Sequence, residues 1–184
     1  MSDDTGSQER ELKFPCEGLD GLRDRLIELE AERLKASTLE ENVLFDRSGE
    51  LEKDGSLLRL RIDGHGTRLT FKGPARFEGK VRVRREHELK VDSADQARAL
   101  IESLGYQPTA IYQKYREEWQ LGGVIIALDH TPIGDFAEFE GDGAEKVARR
   151  CGCDPGGAEQ RDYLPLYKDY RERNPDAPAD MVFP

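Results

Sequence analysis

The sequence predicts a mainly β, α+β fold: an antiparallel sheet curled into a barrel around a charged interior, flanked by about four helices. Eight strand-like segments follow one another, separated mostly by short turns rich in Gly, Asp and Pro. In nearly every segment apolar side chains alternate with charged ones, so each strand has one face of each kind. The charged face is almost purely Arg, Lys, Glu and Asp, whereas an open, wet sheet would mix in many Ser, Thr, Asn and Gln. A single sheet with one solvated face is the competing arrangement. Its charges would contribute about 0–1 kcal/mol per exposed pair, whereas a closed barrel with an ionic lumen demands tight pairing or a ligand.

The elements follow in order. Residues 1–7 are polar and acidic and read as a flexible tail. The first strand spans 8–14, with Glu9, Glu11 and Lys13 on one face, and ends at Pro15. Leu19, Leu22, Leu26 and Leu29 then recur at helical spacing, which predicts an amphipathic helix over about 20–34. Further strands are expected at 35–46, 56–63, 67–73, 80–91, 110–121, 124–130 and 136–141. A helix opens after Ser93, a natural N-cap, and closes before Gly105. Two more helices are expected at 144–150 and 162–173, and 174–184 reads as a Pro-rich tail. The body, 8–173, is one domain.

Hydrophobic and charged residues each make up 36% of the 184 residues, and the net charge is −10. Such a balance disfavours a DNA-binding or anionic-membrane protein, though it leaves room for a local cationic pocket. No apolar run is long enough to span a bilayer. The cysteines, Cys16, Cys151 and Cys153, are odd in number and form no C-x-x-C pair, which fits a reducing cytoplasm. A homodimer is expected where an outer apolar strip stays uncovered.

About eight Lys and Arg side chains on one confined face would suit a multiply charged anion, phosphate above all. The carboxylates come in alternating pairs, Glu9/Glu11, Glu86/Glu88 and Glu138/Glu140. Each pair sets two carboxylates on one face about 7 Å apart, suited to a hard divalent cation. Cations, carboxylates and metal together are the equipment of phosphoryl transfer. Strand parity points His130 outward and packs Tyr115 and Trp119 on the apolar exterior. Arg82 stands between a phosphate contact and a salt bridge.

The ordered set Glu9-x-Glu11-x-Lys13, Arg59-x-Arg61, Lys72, Arg84-x-Glu86-x-Glu88, Lys114-x-Arg116, Asp129 and Glu138-x-Glu140 resembles the CYTH superfamily, the triphosphate tunnel metalloenzymes. "LGYQP", "LDHTPIGDFAE" and "RDYLPLYKDY" resemble the bacterial class IV adenylyl cyclase branch in particular. The resemblance implies an eight-stranded antiparallel tunnel that binds a triphosphate with Mg²⁺ or Mn²⁺. It implies metal ligands at Glu9, Glu11, Asp129, Glu138 and Glu140. Phosphate contacts would come from Lys13, Arg59, Arg61, Lys72, Arg84, Lys114 and Arg116, and Lys13, Glu86, Glu88 and Asp129 would take catalytic roles. The activity first expected is hydrolysis of inorganic, nucleoside or thiamine triphosphate by metal-activated water. The second is cyclisation of ATP to cyclic AMP and pyrophosphate, and the third a non-catalytic polyphosphate or nucleotide sensor. One departure stands out: "LFD" at Leu44 to Asp46 replaces the "YFD" of many members, whose Tyr positions water in some polyphosphate-hydrolysing relatives.

Overall fold

The computed structural model describes residues 7–184. The tail expected at 1–7 lies outside them except for Ser7, whose backbone belongs to the first strand. In chain order the elements are β1 (Ser7–Cys16), α1 (Asp20–Glu28), β2 (Glu32–Asp46), α2 (Glu50–Asp54), β3 (Leu57–Asp63), β4 (Gly66–Lys72) and β5 (Arg76–Glu78). There follow β6 (Val81–Val91), α3 (Ala94–Ser103), β7 (Gln107–Leu121), β8 (Val124–Thr131), β9 (Gly134–Glu140), α4 (Ala144–Arg150) and α5 (Tyr163–Arg173). A 3₁₀ turn covers Pro155–Gly157.

The strands pair in the order β1-β9-β8-β7-β2-β3-β4-β6, and β6 returns to β1. All pairings are antiparallel, so the sheet is a closed eight-stranded barrel with no open edge between its first and last strands. The short β5 continues the pairing of β4 along β6. Lys72 faces Glu86 and Arg76 faces Val83, a slip of one residue across the Gly73–Pro74–Ala75 break. Pro74 cannot donate to a ladder, which explains the interruption. "GPARFEG", read from sequence as a turn, holds this ninth strand.

Apolar side chains face outward and are covered by helices. Leu12, Val83, Val124, Ile126, Leu128 and Phe139 form one buried cluster with Leu26 of α1 and Val147 and Ala148 of α4. Val43, Phe45 and Leu60 form a second beneath Ala97 and Ile101 of α3. A third joins α5 to the barrel through Tyr163, Tyr167 and Met181, and differs in including Tyr112 and Phe136 from the inward parity of β7 and β9. No helix among the described residues is long and apolar enough to cross a membrane.

Several boundaries differ from the sequence expectation. Helix α1 stops at Glu28, short of 34. It ends in a left-handed residue, Glu30 at φ 57°, with Ala31 N–H donating to Leu26 O and Glu30 N–H to Ile27 O. This is a Schellman closure made without glycine, so the usual stop signal was missing. At α3 the same closure uses Gly105, as expected. β1 runs through Pro15 to Cys16, with Pro15 opposite Phe136. A fifth helix, α2, occupies the expected turn after 46. The Asp46 carboxylate accepts from the N–H groups of Leu51 and Glu52 and pins its start.

Residues 174–184, expected as a tail, run back along β7. Met181 N–H donates to Ile111 O, Gln113 N–H donates to Met181 O, and the Met181 side chain is 0% exposed. Met181→Ala should therefore lower the unfolding free energy by about 2–5 kcal/mol. Chemical denaturation would read this, and a loss well below 1 kcal/mol would mean that the strap is not part of the fold's core.

Candidate functional site

The barrel encloses a cavity of about 720 Å³, within the span of roughly 300–1,000 Å³ usual for small-molecule sites. Inward parity brings the charged faces of separate strands into one space. From β1 come Glu9, Glu11 and Lys13; from β3, Arg59 and Arg61; from β4, Arg68 and Lys72. β6 adds Arg82, Glu86 and Glu88; β7 adds Lys114, Arg116 and Glu118; β9 adds Glu138 and Glu140. Residues far apart in sequence meet because barrel closure sets β1 between β6 and β9, with Glu9 opposite Arg84 and Lys13 opposite Glu138.

Most of these charges are paired. Lys72 Nζ lies 2.5 Å from Glu9 Oε1 and 2.9 Å from Glu86 Oε2. Arg61 bridges Glu40 and Glu88, each at 3.1 Å, and Arg68 meets Glu88 at 3.2 Å. Arg82 grips Glu11 at 3.0 Å and also Asp162. Arg116 binds Asp129 through two N–H groups, at 2.7 and 2.6 Å, and contacts Glu138. Lys35 holds Glu118 at 2.6 Å.

The pairing sets the protonation of the carboxyls. Burial alone would raise Glu138, but Lys114 and Arg116 outweigh it and hold its carboxyl well below the usual range. Glu86 is lowered against burial, chiefly by Lys72. Glu11 goes the other way, raised by burial and by the charge of Glu138 despite its bond to Arg82. Glu40, missed in the sequence, is held at about 2; burial opposes this, and Arg116, Lys114 and Arg61 overcome it.

Arg59 is the exception to pairing. It is buried, and among the described residues no carboxylate lies within ion-pair distance. Its guanidinium reaches only neutral hydroxyls, Tyr112 at 3.3 Å and Thr70 at 3.5 Å, and its Nε has no partner. Glu9 Oε2, Glu40 Oε2, Arg61 Nε and both polar atoms of Asn42 are likewise buried without partners. Such groups call for water or a ligand.

Two of the expected site residues stand behind the cavity wall. Asp129 is 0% exposed and accepts from Lys114 at 2.8 Å, from Arg116, and from the Tyr163 hydroxyl at 2.7 Å, so it orients those cations. Arg84 does not line the cavity; it donates to the carbonyls of Gly73 and Gly55 and pairs with Asp162 at 3.3 Å. Among the described residues no three His, Cys, Asp or Glu side chains converge as a preformed metal cage. Of the expected metal ligands, Glu9, Glu11, Glu138 and Glu140 face the lumen. His130 is on the outside, paired with Asp135, and Trp119 is buried in the outer apolar cluster.

The sequence reading left out Glu40 and Asp162, and it placed Tyr163 near the tunnel mouth without committing it to the site. Parity on β2 would have placed Glu40 inward, opposite Lys114. No strand rule reaches α5, whose Tyr163 ring lies 4.4 Å beneath Lys13 Nζ and 5.0 Å beneath Lys114 Nζ. At the same end the lining turns apolar, with Leu44, Ala110, Leu164 and Pro165.

A family model described as the CYTH domain matches residues 7–149. Solved structures are similar over almost their whole length. A candidate adenylate cyclase from Vibrio parahaemolyticus has a TM-score of 0.79 at 23% identity, covering 89% of this chain and 99% of that one. The PH1819 protein of Pyrococcus horikoshii has a TM-score of 0.74 at 28% identity, with the same coverage of both chains. A candidate adenylyl cyclase from Hippeastrum, described as having a dominant triphosphatase activity, has a TM-score of 0.66 at 17% identity, covering 88% and 96%. Among curated proteins none matches.

Glu40 gives this site a pH signature. Its carboxyl drops from 4.5 to about 2 on folding. The stabilisation it contributes is therefore complete above 4.5 and is lost as pH falls toward 2. Glu40→Gln should cost about 3 kcal/mol at pH 7 and flatten the fall of stability over that acid window. Unfolding curves at a series of pH values would check it; a variant that keeps the wild-type slope contradicts the assignment.

Proposed function

The chain belongs to the CYTH domain family, and from that premise we propose that it is a divalent-metal-dependent enzyme that binds a triphosphate in the barrel and hydrolyses it. The observation that carries this reading is Arg59, a buried guanidinium bonded only to neutral hydroxyls, with Glu40 and Glu86 acting on it only at longer range, in a lumen lined by charge of both signs. A buried charge without a counter-ion is costly, and an anion entering the lumen supplies one. Arg61, Lys72, Lys114 and Arg116 stand around the same cavity and would share the remaining phosphate oxygens.

The charge count of the lining supports a metal complex over the bare anion. Nine lining residues are Lys or Arg, and ten are Asp or Glu. A lumen so close to neutral has little net pull on a polyanion, but it suits one whose charge is already offset by Mg²⁺ or Mn²⁺. Mg²⁺ needs only one or two carboxylates besides the phosphates, so the lack of a three-carboxylate cage among the described residues is no obstacle. Glu9, with its free Oε2, and Glu11, Glu138 and Glu140 would hold the cation. When bound, it neutralises the charge that develops on the transferring phosphoryl group.

The chain's own groups do the positioning. Asp129 fixes Lys114 and Arg116, Tyr163 supports Lys13 and Lys114 from below, and Glu86 and Glu88 hold Lys72, Arg61 and Arg68 in place. The in-line geometry that phosphoryl transfer needs then rests on pre-set cations. Cyclisation of ATP is the second reading. It is favoured by the apolar end of the cavity at Leu44, Ala110, Leu164 and Pro165, which offers contact to a flat organic group.

A panel of inorganic triphosphate, ATP, GTP and thiamine triphosphate, each with Mg²⁺, Mn²⁺ or chelator, tests the proposal. Metal-dependent phosphate release without cyclic AMP is the expected result. Cyclic AMP with pyrophosphate from ATP establishes the second reading, and silence from every substrate overturns both in favour of a sensor. Arg59→Met adds an opposed pair of effects. Ligand binding should weaken about 10- to 100-fold through the lost charged hydrogen bonds. Meanwhile the ligand-free protein should melt at a higher temperature, because the unpaired charge is gone.

A further inference from the structure

Asp162 caps the start of α5, yet its carboxylate accepts no hydrogen bond from the helix. An Asp in this place usually satisfies an N–H of the first turn. Here the side chain turns into the cavity and bridges two arginines, Arg82 and Arg84, the latter at 3.3 Å. The arginines are almost wholly buried, with side chains 10% and 3% exposed, whereas the Asp162 side chain is 45% exposed and lines the cavity. Arg84 itself has no share in the lining. Its guanidinium meets the lining through the Asp162 carboxylate.

We propose that Asp162 is an internal stand-in for a phosphoryl group, and that Arg82 and Arg84 form a phosphate subsite that a substrate gains by displacing it. This rests on the triphosphate reading of the lumen and adds where one end of the chain of phosphates goes. A carboxylate and a phosphoryl group present similar oxygens to a guanidinium, and the phosphoryl group carries the larger charge. The exchange is local. Arg82 keeps Glu11, Arg84 keeps the carbonyls of Gly73 and Gly55, and Asp162 is released to its ordinary place over the first turn of α5. α5 also brings Tyr163 against Asp129, so the displaced carboxylate moves on a helix anchored one residue later. The competition makes Asp162 a specificity-determining residue: it excludes ligands whose charge at that position is too small to evict it.

The test is binding of a non-hydrolysable imido analogue of inorganic triphosphate, with Mg²⁺, by calorimetry. Asp162→Asn and Asp162→Ser, the second retaining a capping oxygen, should bind about tenfold tighter than wild type, and Asp162→Glu should bind as wild type does. Glu52→Gln, which removes a lining carboxylate that makes no ion pair among the described residues, controls for charge alone and should gain little. Thermal unfolding of each variant separates a folding defect from a binding effect, and the Ser variant decides if the Asn variant misfolds. Unchanged or weaker binding in a folded Asp162→Ser, or an equal gain in Glu52→Gln, overturns the proposal while leaving the triphosphate reading intact. Failure of wild type and all variants to bind overturns that reading as well.

Discussion

The structure depends on one constraint: a barrel can close on charge only where each buried charge faces an opposite one. Removing two ions from water costs several kcal/mol apiece unless geometry returns it. The registers meet that demand at many positions, while Glu11 opposite Glu140 and Arg61 opposite Arg68 are served by partners on other strands. Lys13 is set opposite Glu138, Glu40 opposite Lys114, and Arg116 opposite Asp129. Each match requires correct pairing between strands, because a slip of one residue would turn a whole charged face outward. The ion pairs are therefore better understood as a device that fixes register than as a source of stability. Their net contribution over an apolar core of the same shape is small or negative.

Pairing is incomplete at several inward positions. Arg59 lacks a carboxylate, Glu9 keeps an oxygen free, and Asn42 is buried with its amide unserved. These atoms lie on inward faces of different strands, and Arg59 and Glu9 line the cavity. α5 closes the arrangement from outside the sheet. Through Tyr163 it completes the shell of Asp129, and through Asp162 it meets Arg82 and Arg84. The cationic half of the site is thus assembled by the barrel and trimmed by a helix that follows it in sequence.

What the sequence made legible follows from period. An alternation of two assigns faces without knowledge of neighbours, so the inward positions of Glu11, Arg61, Lys72 and Glu138 were readable at once. Period says nothing about depth. Asp129 and Arg84 share the inward parity, yet the structure places them behind the wall, held by Lys114, Arg116 and Tyr163 in one case and by backbone carbonyls in the other. Nor does period reach elements joined to the sheet only by tertiary contact, which is why Asp162 was missed and Tyr163 was not committed to the site. Boundaries slipped where the usual punctuation was absent, as at Glu30, or where a short element hid inside a turn, as at Glu50–Asp54 and Arg76–Glu78.

The central claim is that the lumen, and not an outer surface, receives a polyphosphate together with a divalent cation. A crystal structure with a non-hydrolysable triphosphate analogue and Mn²⁺, with the metal located by anomalous scattering, tests it most directly. The account predicts phosphates among Arg59, Arg61, Lys72, Lys114 and Arg116, with the Mn²⁺ signal beside the carboxylates of β1 and β9. An empty lumen with the analogue bound elsewhere, or phosphates in the lumen with no Mn²⁺ beside those carboxylates, would contradict it.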